Sequence, residues 1–559
     1  MTIKDCLNRA ANESPDDIAL RFKQDGQWTT INYGQLRERV WHVSEMLARL
    51  GVVEGDRVAI YRENSPEWFE IYHGIVGIGA IAVPVDAKLR EQEVAHIFHD
   101  CGVSVVFASC RFAEILAGMK ERLRDLRAIV MLDIDERNQH LCDKVDHHTY
   151  KGLWQEVAER AMAEGRAFGR MSPTASSPAS FIYTSGTTGR QKGAVLTHHN
   201  FMSNVDSIDR AVHFTKEDNL VLILPLHHSF AFTTTVLLPV YKHCQVTLVE
   251  NLKTIKANMA ETAPTVMLAV PLLLEKMLAR VLDGINSKKI AKLMYDYGLA
   301  KVVGKKVKDG LGGALRLVVS GGAPISPATL LGWGKLGFCI VEGYGITETA
   351  PVLAVNPPGK PRVGTVGRPL PGVSIEIRNP NPEGVGEIVA RGENVMQGYW
   401  NNPAETAKVL VDGWYHTGDL GYFDEKGYLV ISGRKKSLIV NREGKNIYPE
   451  EVERQVLKST YVLECLAMGY REPGEDTGER VGLIVVPNLE VFDAMEEEGG
   501  ERLTDGQIEE LVRSDIRQQL AALSDYKRPR KIEVRFEEFE KTTTQKIKRY
   551  LYAIDTAGN

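Results

Sequence analysis

Apolar residues at Leu36, Val40, Val43, Leu47 and Leu50 recur at spacings of three and four, which predicts an amphipathic helix with one buried face. The apolar run Val58-Ala59-Ile60-Tyr61 predicts a short buried strand. Asn64-Ser65-Pro66-Glu67-Trp68 then supplies a cap and an early proline for a second helix. Ala80 to Val85 again has strand texture, and strand, helix, strand at this spacing predicts parallel α/β architecture. Similar units recur around 103–108, 246–250, 265–270 and 315–320, with no fixed-period repeat. From about Gly364 the pattern changes to short strands punctuated by Gly and Pro, at 374–377, 386–390 and 428–431. Beyond Arg434 an α+β pattern follows. It has a helix near 449–457, strands at 463–469 and 481–486, and a helix with Ile508, Leu511, Val512, Ile516 and Leu520 on one face. The expected class is α/β, with a large domain over 1–433, a β subdomain at about 364–433 and a small α+β domain over 434–559.

Composition narrows the function classes. A chain of 559 residues, 43% hydrophobic and 25% charged, has the balance of a globular protein with ample core. Lys plus Arg is 68 against 73 for Asp plus Glu, a formal charge of -5, which argues against a dedicated nucleic-acid binder. Seven cysteines, an odd number without a CxxC pair, indicate neither a disulfide framework nor a thiolate zinc site. They are expected to be reduced thiols in a cytoplasmic protein. Met1-Thr2-Ile3-Lys4-Asp5 opens without the apolar run of a signal peptide, and the longest apolar stretch, Ile71 to Val85, is interrupted by His73 and Pro84. The expectation is a soluble protein.

The strongest chemical signal is Thr184-Ser185-Gly186-Thr187-Thr188-Gly189-Arg190-Gln191-Lys192-Gly193, which follows the buried run Phe181-Ile182-Tyr183. Glycines let backbone N–H groups approach phosphate oxygens, hydroxyls add donors, and Lys192 adds a point charge. A plain turn has no need of seven glycines and hydroxyls among ten residues. The segment is not a P-loop, because Gly193 follows the lysine where that motif has Ser or Thr. It resembles the signature loop of the adenylate-forming (AMP-binding) superfamily, with Gln191 where the usual loop has proline. Gly343-Tyr344-Gly345-Ile346-Thr347-Glu348, Gly413-Trp414-Tyr415-His416-Thr417-Gly418-Asp419, Gly433-Arg434-Lys435-Lys436 and Lys541-Thr542-Thr543-Thr544-Gln545-Lys546-Ile547 follow in the order of that superfamily. Glu540 and Gln545 stand where its pattern has proline and glycine.

The resemblance implies two doubly wound α/β subdomains, a β-barrel subdomain and a mobile C-terminal domain. It also implies an acid–thiol ligase that uses ATP, Mg²⁺ and coenzyme A. Nucleotide contacts are then expected from Thr184, Ser185, Gly186, Thr187, Thr188, Gly189 and Lys192, from Gly321, Gly322 and Ala323, and from Gly343, Tyr344, Gly345, Thr347, Asp419 and Arg434. In that reading Tyr344 offers a stacking face for adenine. Asp419 accepts the ribose hydroxyls, Thr347 meets the α-phosphate, and Thr184 with Glu348 holds Mg²⁺ through oxygen. Lys546 is the implied catalytic lysine, although a run with Lys541, Lys548 and Arg549 is usually a solvated basic face. Lys436 is the implied hinge, and Gly444, Lys445 and Asn446 lie in the segment implied to line the thiol channel.

His227 and His228 invite a metal reading. Adjacent side chains project differently, however, and no third ligand is near in sequence, so none is expected there. By resemblance His228 stands beside the substrate carboxylate and Phe232 gates an acyl tunnel. The 268–312 region resembles fatty acyl-CoA synthetases, most like the long-chain fatty acid-CoA ligases. Within it, Lys288, Lys289, Lys292, Lys301, Lys305, Lys306 and Lys308 surround Ile290, Leu293, Met294 and Tyr297 at helical spacing. A solvated amphipathic helix and a membrane-surface helix, peripheral at the inner membrane face, both fit. The expected partners are a carboxylic acid, ATP and coenzyme A, with no nucleic acid. A homodimer, an aryl or other acid, a carrier-protein acceptor and an inactive nucleotide sensor stay open.

Overall fold

A computed structural model describes residues 1–120, 122–164, 172–185, 190–472, 478–497, 502–542 and 547–554. The chain divides into two compact units, one of Met1–Ile375 with Ala390–Tyr415, the other of Glu376–Val389 with His416–Asn559.

Two large sheets build the first unit. In the eight-stranded sheet the order is Gly398–Tyr399, Gln191–Thr197, Pro178–Ser185, Ile81–Pro84, Arg57–Tyr61, Val103–Ala108, Ala128–Met131 and His148–Thr149. Its pairs are parallel from Pro178–Ser185 onward and antiparallel on the other side. The nine-stranded sheet has parallel Asn219–Leu222, Val266–Ala269, Leu317–Ser320 and Ile340–Gly345 at its centre, each fully buried except the last. Near-continuous apolar strands are what a parallel sheet covered on both faces requires. The predicted helix spans Tyr33–Arg49 and buries Leu36, Val40, Val43 and Leu47. The second runs Pro66–Gly77, where Ser65 accepts from the Trp68 amide as N-cap and proline sits in the first turn.

In the second unit, Val462–Tyr470, Arg480–Pro487 and Lys531–Val534 form a three-stranded sheet. Helices Pro449–Val456 and Asp505–Leu520 share its core through Val452, Val456, Ile508, Val512, Ile516 and Leu520. Those four residues of the longer helix repeat every four positions, whereas Leu511, expected on the same face, is exposed.

The structure adds one element and corrects two readings. An unforeseen hairpin joins Ile18–Gln24 to Gln27–Asn32 through Asp25 and Gly26, both at positive φ. Asp-Gly is the usual sequence signal for such a turn. The segment read as one amphipathic stretch over 285–310 is two helices, Lys289–Asp296 and Ala300–Asp309, parted by Gly298 at φ 88°. Cys110 and Cys142, expected as free thiols, are joined as a disulfide with Cα atoms 5.8 Å apart. The packing of a turn at Cys110–Phe112 against the short helix Gln139–Cys142 closes a separation of 32 residues that carries no spacing signal. Cys6, Cys101, Cys244, Cys339 and Cys465 are free, and burial pushes the Cys6 and Cys101 thiols up to about 12. Among the described residues no helix is long and apolar enough to cross a membrane.

Candidate active site

Strands Pro178–Ser185 and Gln191–Thr197 pair so that Thr184 stands opposite Lys192 and Tyr183 opposite Gly193. A Cβ at Gly193 would come within 3.0 Å of the Tyr183 ring, which is why this position takes glycine. Gln191, at the place of the superfamily's proline, continues the strand, and its carbonyl accepts from His96 Nε2 at 3.0 Å. Gly186, Thr187, Thr188, Gly189 and the Ser185 side chain lie outside the described residues.

Tertiary contacts bring several candidates together. Lys192 Nζ pairs with Glu405 and lies 5.4 Å from the Tyr399 ring centroid. Tyr399 in turn donates its hydroxyl to Glu348 Oε1 at 2.7 Å. Burial, reinforced by the Glu348 charge, pushes the Tyr399 phenol well above its ordinary range, so it remains a donor. Beside Glu348, Thr347 Oγ1 accepts from Ser229 Oγ at 3.2 Å. Lys192 thus belongs to one cluster with Thr347 and Glu348, which are adjacent to each other but remote from it in sequence. Its connecting residue, Tyr399, was not among the sequence candidates. The local signal available was Gly398-Tyr399-Trp400, whose first two residues form an edge strand on Val195 and Ala194.

Glu405 is the second residue that sequence reasoning missed. Hydrogen bonds from Lys192 and Lys408 hold its carboxyl down to about 2, so Glu405 stays ionised throughout the neutral range. Glu405 therefore occupies the lysine that a phosphate would need. If Lys192 meets a phosphate of ATP, as the resemblance implies, Glu405→Gln should lower the KM for ATP by up to about fivefold, the scale of a partly exposed ion pair, with kcat little changed. Steady-state kinetics at fixed acid concentration check this, and a raised KM would show that Glu405 orients the lysine instead.

The loop that carries His228 is held from a distance. Asn64 donates to the Leu224 carbonyl at 2.8 Å and accepts from the Leu226 amide at 2.9 Å, fixing the backbone just before the histidine pair. Sequence reading treated Asn64 only as part of a helix cap. No third ligand group is near the histidine pair in sequence, but the fold brings one near in space. Asp86, just beyond strand Ile81–Pro84, puts Oδ2 3.5 Å from His227 Nε2, and the ligand atoms of Asp86, His227 and His228 lie within 4.8 Å of one another. Only the tertiary fold supplies that carboxylate.

Other candidates lie at strand ends, where open α/β sheets take ligands. Gly321 lies against Phe230, whose ring a Cβ would meet at 3.0 Å, and Gly322 adopts φ 85°. The preceding Ser320 has a buried hydroxyl with no hydrogen-bond partner among the described residues, a donor and acceptor left for a ligand. Ala323 follows these in the same turn. Tyr344 is buried in strand Ile340–Gly345; a Cβ at Gly343 before it would make only ordinary contacts with Ala354 and Val355, whereas a side chain at Gly345 would strike the Pro351 carbonyl. Phe232 is 1% exposed, its ring centroid 4.4 Å from Tyr72, 5.2 Å from Phe201 and 5.7 Å from Trp68.

In the second unit Asp419 and Arg434 are cross-strand partners, and Arg434 Nε donates to Asp419 Oδ1 at 2.7 Å. Gly418, expected to form a turn before the aspartate, instead lies within strand Trp414–Phe423 at φ 70°. Lys435 and His416 both reach Glu387, at 2.8 and 3.3 Å; burial pushes that carboxyl up, and the hydrogen bonds from these two side chains more than offset it, leaving it below its ordinary value. Lys436 lies in a single turn, Lys435–Ser437. Gly444 and Lys445 form the tip of a small hairpin between Ile439–Val440 and Asn446–Ile447, with Gly444 at φ 73°. Lys546 lies outside the described residues. The base of its loop is closed by a bridge between Lys541 and Ile547 and by the Lys548 amide, which donates to the Glu540 carbonyl at 2.9 Å.

Residues 7–400 match the model of the family described as AMP-binding enzyme. The chain belongs to that family. Among the relatives of this AMP-binding enzyme, the long-chain-fatty-acid–CoA ligase FadD15 of Mycobacterium bovis is 29% identical, over 97% of this chain and 93% of the relative. A long-chain-fatty-acid–CoA ligase of Salmonella typhimurium is 30% identical, over 98% and 93%. In structure, the ATP-bound MatB of Rhodopseudomonas palustris superposes with a TM-score of 0.77 at 26% identity, covering 99% of this chain and 98% of that one. The AMP-binding fold is therefore the α/β architecture expected from the residue pattern.

Proposed function

We propose that this AMP-binding enzyme, an adenylate-forming acid–thiol ligase, activates a medium- to long-chain fatty acid to acyl-AMP and then to acyl-CoA, releasing pyrophosphate and AMP. The observation that carries the reading is the cluster in which Lys192, Tyr399–Glu348 and Thr347–Ser229 converge beside the hydroxyl- and glycine-rich strand end at Thr184. The fatty acid is supported by the two ligase relatives, which match almost the full chain.

A carboxylate oxygen attacks the α-phosphorus of ATP, and the bond to the β-phosphate bridge breaks to release pyrophosphate. Attack by one anion on another requires positive charge at the reacting oxygens. Lys192 supplies part of it, and Lys546 is assigned the rest. Thr347 donates toward the α-phosphate, Asp419 receives the ribose, and His228 orients the acid. Thr184 and Glu348 offer the hard oxygen donors that suit Mg²⁺, whose bound charge offsets that of the polyphosphate. In the second step the coenzyme A thiolate attacks the acyl carbon and AMP leaves. The domain boundary is placed at 433/434, with Lys436 as the hinge that exchanges Lys546 for the 441–446 loop.

ATP–pyrophosphate exchange with acids from acetate to palmitate and benzoate tests the reading. Exchange that rises with chain length is expected, and exchange fastest with benzoate overturns the fatty acid. Adding coenzyme A, or an acyl carrier protein in its place, identifies the acceptor. The hinge has its own test. Lys436→Pro fixes φ and should leave exchange intact while lowering thioester formation by about tenfold or more. Full rates in both half-reactions would move the hinge elsewhere.

A further inference from the structure

The helix pair Lys289–Asp296 and Ala300–Asp309, in the first unit, has an outward face that the ligase chemistry does not use. Ala291, Met294 and Tyr295 turn inward against the neighbouring core. Ile290, Leu293 and Tyr297 stand 76%, 58% and 79% exposed, and Leu299 and Val302 continue the apolar surface at 52% and 46%. The spacing of 290, 293 and 297 places the first three on one side of the first helix. Large apolar residues are normally scattered singly over a surface; five within thirteen positions are a patch.

Charge identifies what covers it. Between 288 and 309 there are seven lysines and two aspartates, in a chain whose net charge is -5. Six of these lysines are exposed, and none of the seven pairs with a described acidic residue. A helix that shows water an apolar stripe bordered by lysines has the makeup of one lying in a bilayer interface. There the stripe enters the acyl boundary and the lysines meet anionic headgroups. An acidic protein surface would satisfy the lysines but leave Ile290 and Tyr297 without an apolar partner of matching depth.

We propose that this helix pair docks the enzyme on an anionic lipid bilayer, where a sparingly soluble fatty acid is concentrated. The inference rests on the fatty-acid reading above for its purpose, though not for its physics.

The test is co-sedimentation of the full-length protein with vesicles of phosphatidylcholine containing 30% phosphatidylglycerol, and with phosphatidylcholine alone. Binding to the anionic vesicles is expected, weakening at least tenfold between 0.1 and 0.5 M salt as headgroup charge is screened. Ile290→Ser/Leu293→Ser/Tyr297→Ser and Lys289→Gln/Lys292→Gln/Lys305→Gln should each reduce partitioning by about tenfold or more. Because all six positions are exposed, melting temperature and exchange with octanoate should stay as in the parent. Absent vesicle binding, or binding indifferent to both triple variants, overturns the proposal. So does capture of an acidic carrier protein that depends on the lysines but ignores the serine variant, which would assign the face to a protein partner. An enzyme that exchanges pyrophosphate yet ignores vesicles defeats only the docking surface. One that binds vesicles but exchanges with no acid defeats only the chemistry.

Discussion

Lys546→Ala is expected to lower acid-dependent pyrophosphate exchange by about 10²-fold or more, while thioester formation from supplied acyl-AMP stays within a few-fold of the parent. A preorganised charge at an oxygen that gains charge in the transition state is worth that much, and only the adenylation step gains charge there. The melting temperature should not move, because the bridge of Lys541 to Ile547 and the Lys548–Glu540 hydrogen bond hold the base of the loop without this side chain. Single-turnover assays of the two half-reactions check it. Equal losses in both would make the lysine structural, and no loss would assign the charge to Lys192 alone.

Truncating Phe232 should act through stability first. Its ring is fully buried among Trp68, Tyr72 and Phe201, and removing an aromatic side chain from such a site costs about 3–5 kcal/mol, because neighbours on rigid strands and helices collapse only in part. Phe232→Ala should therefore melt several degrees lower. The acyl assignment makes a further demand. If the chain of the acid reaches this cluster, the vacated volume should favour longer acids, by about 0.8 kcal/mol for each additional buried methylene. A destabilised enzyme with an unchanged chain-length profile removes Phe232 from the acyl site and leaves it as core.

The two residues differ in how far local pattern reaches. Periodicity and cap chemistry place the helices Tyr33–Arg49 and Pro66–Gly77, the parallel strands between 57 and 108, and the sheet and helices of the second unit, because each of those signals is local in the chain. The motif order likewise identified the family, since each motif is a short run whose residues act together. Lys192, Thr347, Glu348, Asp419 and Arg434 were singled out as candidates for that reason. Asp25-Gly26 was equally local and should have been read as a hairpin.

What no local pattern contains is which distant residue arrives beside a motif. Tyr399 connects Lys192 to Glu348 because its edge strand adds to Gln191–Thr197, and Glu405 reaches Lys192 from the helix that follows. Asn64 steadies the His228 loop across 160 residues, Asp86 joins the histidine pair from the end of another strand, and Cys110 meets Cys142 over 32. Burial has the same origin: helical spacing gives Phe232 and Leu293 a face, but packing alone puts the first inside an aromatic cluster and leaves the second in water. The chain's own pattern thus settled the class of fold and the family and supplied a list of candidate groups, since these follow from periodicity, short motifs and short-range geometry. The tertiary structure decided which of those groups touch, which are already held by a partner and which apolar side chains stay exposed, since contacts between remote segments depend on sheet order and register that no short window of residues encodes.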